Sequence, residues 1–196
     1  NDAITKGLSA EMNLGQIMFV RGIFATALIA LLAWYHGALR GREHMLHPLV
    51  WLRVLGEVGG TVTFLAALSH MPLANVSAVL QSLPLAVTMG AAMFLGEPVG
   101  WRRWAAIAVG FAGVMIVVRP GMEGFSAYSI YALVCVLFAA MRDLVTRRLP
   151  DDVPSLLVST LTSFGVGASG ALLILPLGGW TPLEDHMLLQ LFLAAI

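Results

Sequence analysis

Six apolar segments, each close to the roughly 20 residues that an α-helix needs to cross a bilayer, follow one another along this chain. A seventh segment begins near Leu183. Hydrophobic residues make up 59% of the sequence and charged residues only 11%, which leaves too few polar side chains to cover a water-soluble core. The sequence therefore predicts an all-α fold, a polytopic transmembrane helical bundle. The predicted crossing helices are 16–35, 49–70, 73–95, 101–118, 128–145 and 155–177.

The distribution of charge predicts how these helices are oriented. Eleven basic and eleven acidic residues balance, so the net charge gives no reason to expect a nucleic-acid partner. Pairs of arginines occur in three alternate connections between the predicted helices, and the positive-inside rule assigns such connections to the cytoplasm. We therefore expect a multi-pass protein of the bacterial inner (plasma) membrane, with the lipid bilayer as its surroundings. The pairs are Arg40 with Arg42, Arg102 with Arg103, and Arg147 with Arg148.

A short pattern near the start of the chain recurs 141 residues later. Five predicted helices separate the two copies, and an odd number of crossings places them on opposite faces of a membrane. This arrangement is typical of inverted-topology repeats, in which the substrate site lies where the two halves meet. The matching residues are Asp2, Thr5, Lys6 and Leu8 in the first copy and Asp143, Thr146, Arg147 and Leu149 in the second.

Several motifs have the order and spacing of a known transporter family. They include Leu83-Pro84, Leu95-Gly96-Glu97-Pro98, Trp101-Arg102-Arg103-Trp104 and the run from Val109 to Val114. With these motifs the chain resembles the EamA-like branch of the drug/metabolite transporter superfamily. The resemblance implies an inverted repeat of five helices plus five helices. The first repeat would cover residues 1–121 and the second, truncated, residues 122–196, a fragment from the end of helix 1 to the start of helix 8.

Two charged residues lie inside one predicted crossing helix, where a charge is costly unless it faces a cavity or a partner. Arg53 and Glu57 are four residues apart and therefore share one helix face. Their opposite charges suit a zwitterionic substrate, and they suit an internal ion pair equally well. Both interpretations remain open, and we name Arg53 and Glu57 as candidate substrate-binding residues.

A stripe of polar residues marks the next predicted helix. Ser77, Gln81 and Thr88 share one helix face with Pro84, whose ring frees a backbone carbonyl in mid-membrane. The stripe fits a cavity wall, and the alternative is hydrogen bonding between packed helices. We predict that Ser77, Gln81 and Thr88 contact the substrate, and Gln81 is the preferred contact because its amide both donates and accepts hydrogen bonds.

Charged residues at two helix ends are the candidates for gates or salt bridges. Two pairs of charged residues lie at repeat-related helix ends, and the charge pattern assigns these ends to opposite faces of the membrane. The pairs are Asp2 with Lys6, and Arg142 with Asp143. A further arginine, Arg21, lies in the first half of its predicted helix, and we expect it to anchor that helix at the membrane interface.

Motifs of catalysis are absent from the sequence. There is no phosphate-binding glycine loop, nucleophile elbow or helical zinc motif, so we predict no enzyme, no catalytic residue, no metal site and no cofactor, and leave proton or sodium coupling open. The predicted function is a secondary transporter that moves a small polar metabolite, such as an amino acid or a nucleoside-like or cofactor-like compound, by alternating access. The alternatives are a membrane-embedded enzyme acting on lipid-linked substrates and a non-transporting scaffold subunit. A homodimer is compatible with the sequence.

Overall fold

The computed structural model describes residues 2–9, 11–40, 42–118 and 128–195, and the regular elements in these ranges are all helical. This confirms the predicted all-α fold. Two short 3₁₀ helices, Ala38–Arg40 and Arg42–Leu46, lie between α2 and α3. The α-helices are α1 (Asp2–Leu8), α2 (Leu14–Tyr35), α3 (Pro48–His70), α4 (Leu73–Leu80), α5 (Leu83–Phe94), α6 (Trp101–Val118), α7 (Tyr128–Thr146), α8 (Ser155–Ile174) and α9 (Asp185–Ala195).

Length and hydropathy identify five membrane spans among the described residues. They are α2, α3, the consecutive pair α4 and α5, α7 and α8. Many large apolar side chains on these helices are exposed, for example Leu31 and Leu172, as expected for helices whose outer surface faces lipid rather than water. The protein is therefore a multi-pass membrane protein.

The chain divides into two compact units, which are described separately. The first unit comprises Asn1–Val58 and Leu149–Ile196, and the second comprises Gly59–Arg148.

In the first unit, α2 packs against α8 through glycines. A Cβ atom added at Gly22 would overlap the Cα atom of Gly167, and one added at Gly15 would lie 2.7 Å from the backbone nitrogen of Ile174. Small residues at such a crossing let two helix backbones approach closely. Because the later residue of α2 meets the earlier residue of α8, the two helices are antiparallel. Antiparallel packing is what an inverted repeat requires of its two equivalent helices.

In the second unit, the part of α3 from Gly59 onward and the helices α4 to α7 surround a core of buried apolar side chains. Glycines again mark close contacts, although here they face side chains: Gly110 of α6 faces Leu85, and Gly90 of α5 faces Leu144 of α7. The buried core residues are Ala67, Met71, Val76, Val79, Ala86, Val87, Val114, Val118, Ala132, Val136 and Ala140.

Two predicted helix boundaries are wrong in detail. The helix predicted at 73–95 is interrupted at Gln81 and Ser82, so that α4 and α5 are separate, because Pro84 cannot donate the hydrogen bond that would continue the helix. The helix predicted at 155–177 ends at Ile174, three residues early, and a turn with two left-handed glycines, Gly178 and Gly179, follows it. The predicted repeat boundary between residues 121 and 122 lies outside the described residues and stays a prediction.

Candidate functional site

Arg53 is held by a hydrogen bond to α8. Its Nη1 donates to Thr162 Oγ1 at 2.6 Å, and the Thr162 hydroxyl in turn donates to the carbonyl of Val158 at 2.7 Å. Thr162 is buried, with 6% of its surface exposed, while Arg53 is half-buried. The guanidinium is therefore held against a neighbouring helix.

Arg21 lies in α2, within electrostatic range of two carboxylates, Asp2 of α1 and Glu57 of α3. Glu57 is half-buried and lies one helical turn after Arg53. We call Asp2, Arg21, Arg53 and Glu57 the charge cluster. It carries two positive and two negative formal charges, three of them on membrane-length helices. A balanced set of this kind lowers the cost of burying each charge.

The predicted polar stripe lies in the second unit, on α4, α5 and the break between them. Ser77 and Gln81 are exposed, and Thr88 is half-buried with its hydroxyl donating to the Pro84 carbonyl at 2.7 Å. This bond joins residues four apart within α5 and stays inside that helix. The side chains of Ser77 and Gln81 face away from the core of this unit, and their contact with a substrate stays a prediction.

Ion pairs cluster where α7 ends. Arg142 Nε lies 2.9 Å from the carboxylate Oδ1 of its neighbour Asp143. Arg147 Nη1 lies 3.2 Å from Oε1 of Glu97, in the turn after α5, and Arg148 donates to the carbonyl of Phe94. These contacts join the end of α5 to the end of α7. A role in gating stays a prediction for Arg142 and Asp143.

The repeat-related residues Asp2 and Lys6 lie on the short helix α1 of the first unit. Asp2 is exposed and Lys6 is half-buried, and the backbone carbonyl of Lys6 accepts a hydrogen bond from the Ser9 hydroxyl at 2.8 Å. Their proposed gating role is likewise a prediction.

A second polar contact at this end of the first unit joins α2 to the turn before α9. The buried Gln16 amide donates from Nε2 to the Thr181 carbonyl at 2.7 Å, and its oxygen accepts from the Thr181 N–H at 2.9 Å. Asn13 caps α2 by accepting from the Gln16 backbone N–H at 2.8 Å, and its amide nitrogen donates to the Gly179 carbonyl. The turn is thereby held to the start of α2.

A cavity of about 330 Å³ lies between α2 and α8, beside the glycine contact. Its lining is apolar apart from one threonine hydroxyl, so it suits an apolar group better than a polar metabolite. The lining residues are Phe19, Gly22, Ile23, Thr26, Ala27, Ala30, Phe164, Gly167 and Ala168. Within the described part of the chain, no three histidine, cysteine or acidic side chains are grouped as metal ligands.

Several residues of these contacts were not predicted as site residues, and Arg21, Thr162 and Glu97 are three of them. Arg21 was expected to be an interfacial anchor, and its acidic neighbours depend on how α1, α2 and α3 pack. Thr162 has no distinguishing feature among the hydroxyl residues of α8. Glu97 could have been paired with Arg147 from the sequence, because the charge pattern assigns both to the arginine-bearing face.

The family comparison agrees with this architecture. The model of the EamA-like transporter family matches residues 2–119, more than half of the chain. No solved structure matches the chain.

Curated relatives of this chain are transporters by name. It is 27% identical over 150 residues to the S-adenosylmethionine uptake transporter of Rickettsia felis, a match that covers 76% of this chain and 50% of the relative. It is 30% identical over 151 residues to the pseudopaline exporter CntI of Pseudomonas aeruginosa, covering 76% and 52%. The riboflavin transporter of Vibrio cholerae is 35% identical over 109 residues, covering 55% and 37%. The chain spans about half the length of the first two relatives.

Proposed function

We propose that this chain, which belongs to the EamA-like transporter family, forms part of a permease that moves a small polar metabolite across the bacterial inner membrane by alternating access. The family and the named relatives are transporters and not enzymes. The charge cluster is the observation that carries the proposal for this chain, because charges on membrane-length helices are costly and are retained where they pair with one another or face a cavity or a substrate.

The balance of the charge cluster favours a zwitterion as the cargo. A substrate with one carboxylate and one ammonium group can replace protein partners on both sides of the cluster without leaving a net charge in the membrane. Arg53 is the preferred partner for the carboxylate, since its guanidinium is already oriented by Thr162, and Glu57 is the preferred partner for the ammonium group.

The named cargoes of the relatives do not select one substrate for this chain. S-adenosylmethionine, riboflavin and pseudopaline differ in charge and shape, and one relative is named for uptake while another is named for export. We infer a small metabolite from them and leave the direction of transport and the coupling ion, proton or sodium, to experiment.

The ion pairs at the end of α7 are the proposed gate on the arginine-bearing face. Arg147 is the repeat copy of Lys6, so the equivalent gate on the opposite face would include Lys6 and Asp2. The Glu97–Arg147 contact joins a turn of the first predicted repeat to the turn that follows α7 in the second. In this proposal the contact breaks when that face opens.

A substrate screen in proteoliposomes tests the proposal. Vesicles containing the full-length protein are given radiolabelled amino acids, S-adenosylmethionine and riboflavin, each with and without an imposed proton or sodium gradient. We expect saturable accumulation of at least one compound, increased by one of the gradients.

Two variants control this screen. Glu57→Gln removes one charge from the charge cluster and should abolish or strongly reduce the accumulation. Arg103→Gln removes one charge from the exposed start of α6 and should leave it unchanged. Accumulation no greater than in protein-free liposomes for every compound and gradient would refute a transport function.

A further inference from the structure

Three aromatic rings are stacked at the end of α3 and the start of α7, in the second unit. The rings of His70 and Tyr128 are parallel, with centroids 3.8 Å apart and planes 7° apart. Tyr128 in turn stacks on Tyr131, with centroids 6.0 Å apart and planes 25° apart. Neither the charge cluster nor the gate proposal uses these rings.

The stack is attached to a well-packed part of this unit. Tyr128 packs against the core of buried apolar residues. The adjacent Ser129 is buried, and its hydroxyl lies 3.9 Å from the Met71 sulfur in the turn after α3. The end of α3 and the start of α7 are thereby held together, so the ring of Tyr128 has a fixed orientation.

The hydrogen bonds of His70 determine what its imidazole can offer a ligand. Its Nδ1 lies 3.1 Å from the Ala66 carbonyl oxygen and 2.8 Å from the Ser69 hydroxyl. In the tautomer in which Nδ1 carries the proton and donates to the Ala66 carbonyl, Nε2 is an acceptor. Among the described residues, no hydrogen bond reaches Nε2 of this ring.

One ring face of His70 is covered by Tyr128, and the residue as a whole is exposed, which leaves its other face open. Tyr131, at the far end of the stack, is 45% exposed. An aromatic face beside an acceptor nitrogen matches a planar nitrogen heterocycle that stacks on the ring and donates an N–H group.

We propose that the open face of His70 is a docking site for a planar nitrogen heterocycle with an N–H donor, such as a flavin or an aminopurine. This rests on the proposed transport function and adds a planar heterocycle to the features of its substrate. The site lies at the opposite end of α7 from Arg147 and Arg148, about 28 Å away along the helix. Because the positive-inside rule assigns the arginine end to the cytoplasm, the His70 end is on the outer face. Cargo would meet it on the external side of the membrane.

Equilibrium binding to the full-length protein in nanodiscs tests this site. Riboflavin is the first probe, because its fluorescence is quenched when its ring stacks on an aromatic side chain, and adenosine is the second, as a competitor. His70→Ala should raise the Kd for riboflavin by roughly 5- to 100-fold, the range expected for loss of one stacking contact. His70→Phe retains a ring face without Nε2 and should give an intermediate Kd.

The chain contains a matched control for this substitution. His36 also contacts a tyrosine, Tyr35, but their rings meet edge-on, with centroids 5.3 Å apart and planes 90° apart. Tyr35 is the last residue of α2, in the first unit, and His36 follows it. His36→Ala should leave the Kd for riboflavin unchanged. A wild-type protein that binds neither probe, or equal Kd values for wild type, His70→Ala and His70→Phe, would overturn the docking site.

Failure of the docking site is distinguishable from failure of the transport function. If vesicles accumulate a zwitterionic metabolite while His70→Ala binds heterocycles as wild type does, the transport function stands and the docking site is wrong. If the probes bind through His70 but no compound is accumulated, the docking site stands and the transport function is wrong.

Discussion

Arg53 illustrates what a single charged residue requires inside a membrane-length helix. Its guanidinium donates to Thr162 Oγ1 at 2.6 Å, and Glu57 lies one turn further along the same face. The Thr162 hydroxyl orients the guanidinium and carries no formal charge of its own. The sequence predicted Arg53 and Glu57 from their spacing alone, but Thr162 could not be predicted, because its contact depends on the packing of two helices distant in the sequence.

Replacing Arg53 by glutamine is therefore expected to weaken binding of a zwitterion selectively. A hydrogen bond to a charged group contributes about 1.5–3 kcal/mol, so the Kd should rise roughly 10- to 100-fold for the zwitterion. The Kd of an uncharged analogue, in which the amine is acylated and the carboxylate is esterified, should change little. Isothermal titration of both ligands against Arg53→Gln and against Arg103→Gln provides the comparison, and equal losses for the two ligands would count against the assignment.

At the scale of helices, close packing of α2 against α8 depends on the absence of side chains. A Cβ atom at Gly22 would meet the backbone of Gly167, which cannot move aside as a flexible side chain can. Gly113 of α6 has no atom within 4 Å of the position of its Cβ. Gly110 of the same helix faces Leu85, so the rotation of the helix decides which of the two glycines faces a neighbour.

Gly22→Val should lower the thermal stability of the protein, whereas Gly113→Val should not. Overpacking typically costs about 1–3 kcal/mol, and both substitutions replace glycine by valine within a helix, so helix propensity is matched. The detergent-solubilised protein is heated, and size-exclusion chromatography then measures how much of it remains folded at each temperature, which gives the midpoint of unfolding for each variant. Equal midpoints for the two variants would mean that α2 and α8 do not approach as described.

Most helices could be predicted because apolar segments of membrane length leave few alternatives. The bounds of α6 are those predicted, and the bounds of α2, α3 and α7 differ from prediction by at most two residues at either end. The interruption between α4 and α5 was harder to predict, since prolines are tolerated within transmembrane helices. The presence of Pro84 predicted a backbone carbonyl without its helical partner. It did not predict that the helix would be interrupted at Gln81 and Ser82.

At the scale of the whole molecule, two independent features support an inverted repeat. The motif that begins at Asp2 recurs from Asp143 in the sequence. Helix α2 and its repeat counterpart α8 pack antiparallel within one unit, which is the relative orientation that an inverted repeat gives to equivalent helices. The family match over residues 2–119 lies within the first predicted repeat, residues 1–121. The boundary between the two repeats stays a prediction.

Counterflow tests alternating access most directly. Proteoliposomes are preloaded with unlabelled substrate, identified in the screen, and diluted into a trace of the labelled compound without any ion gradient. A carrier whose site faces one side at a time exchanges label inward faster than the unlabelled pool escapes, so we predict a transient overshoot of internal label. A monotonic rise to equilibrium, the behaviour of a channel or a leak, would contradict the account.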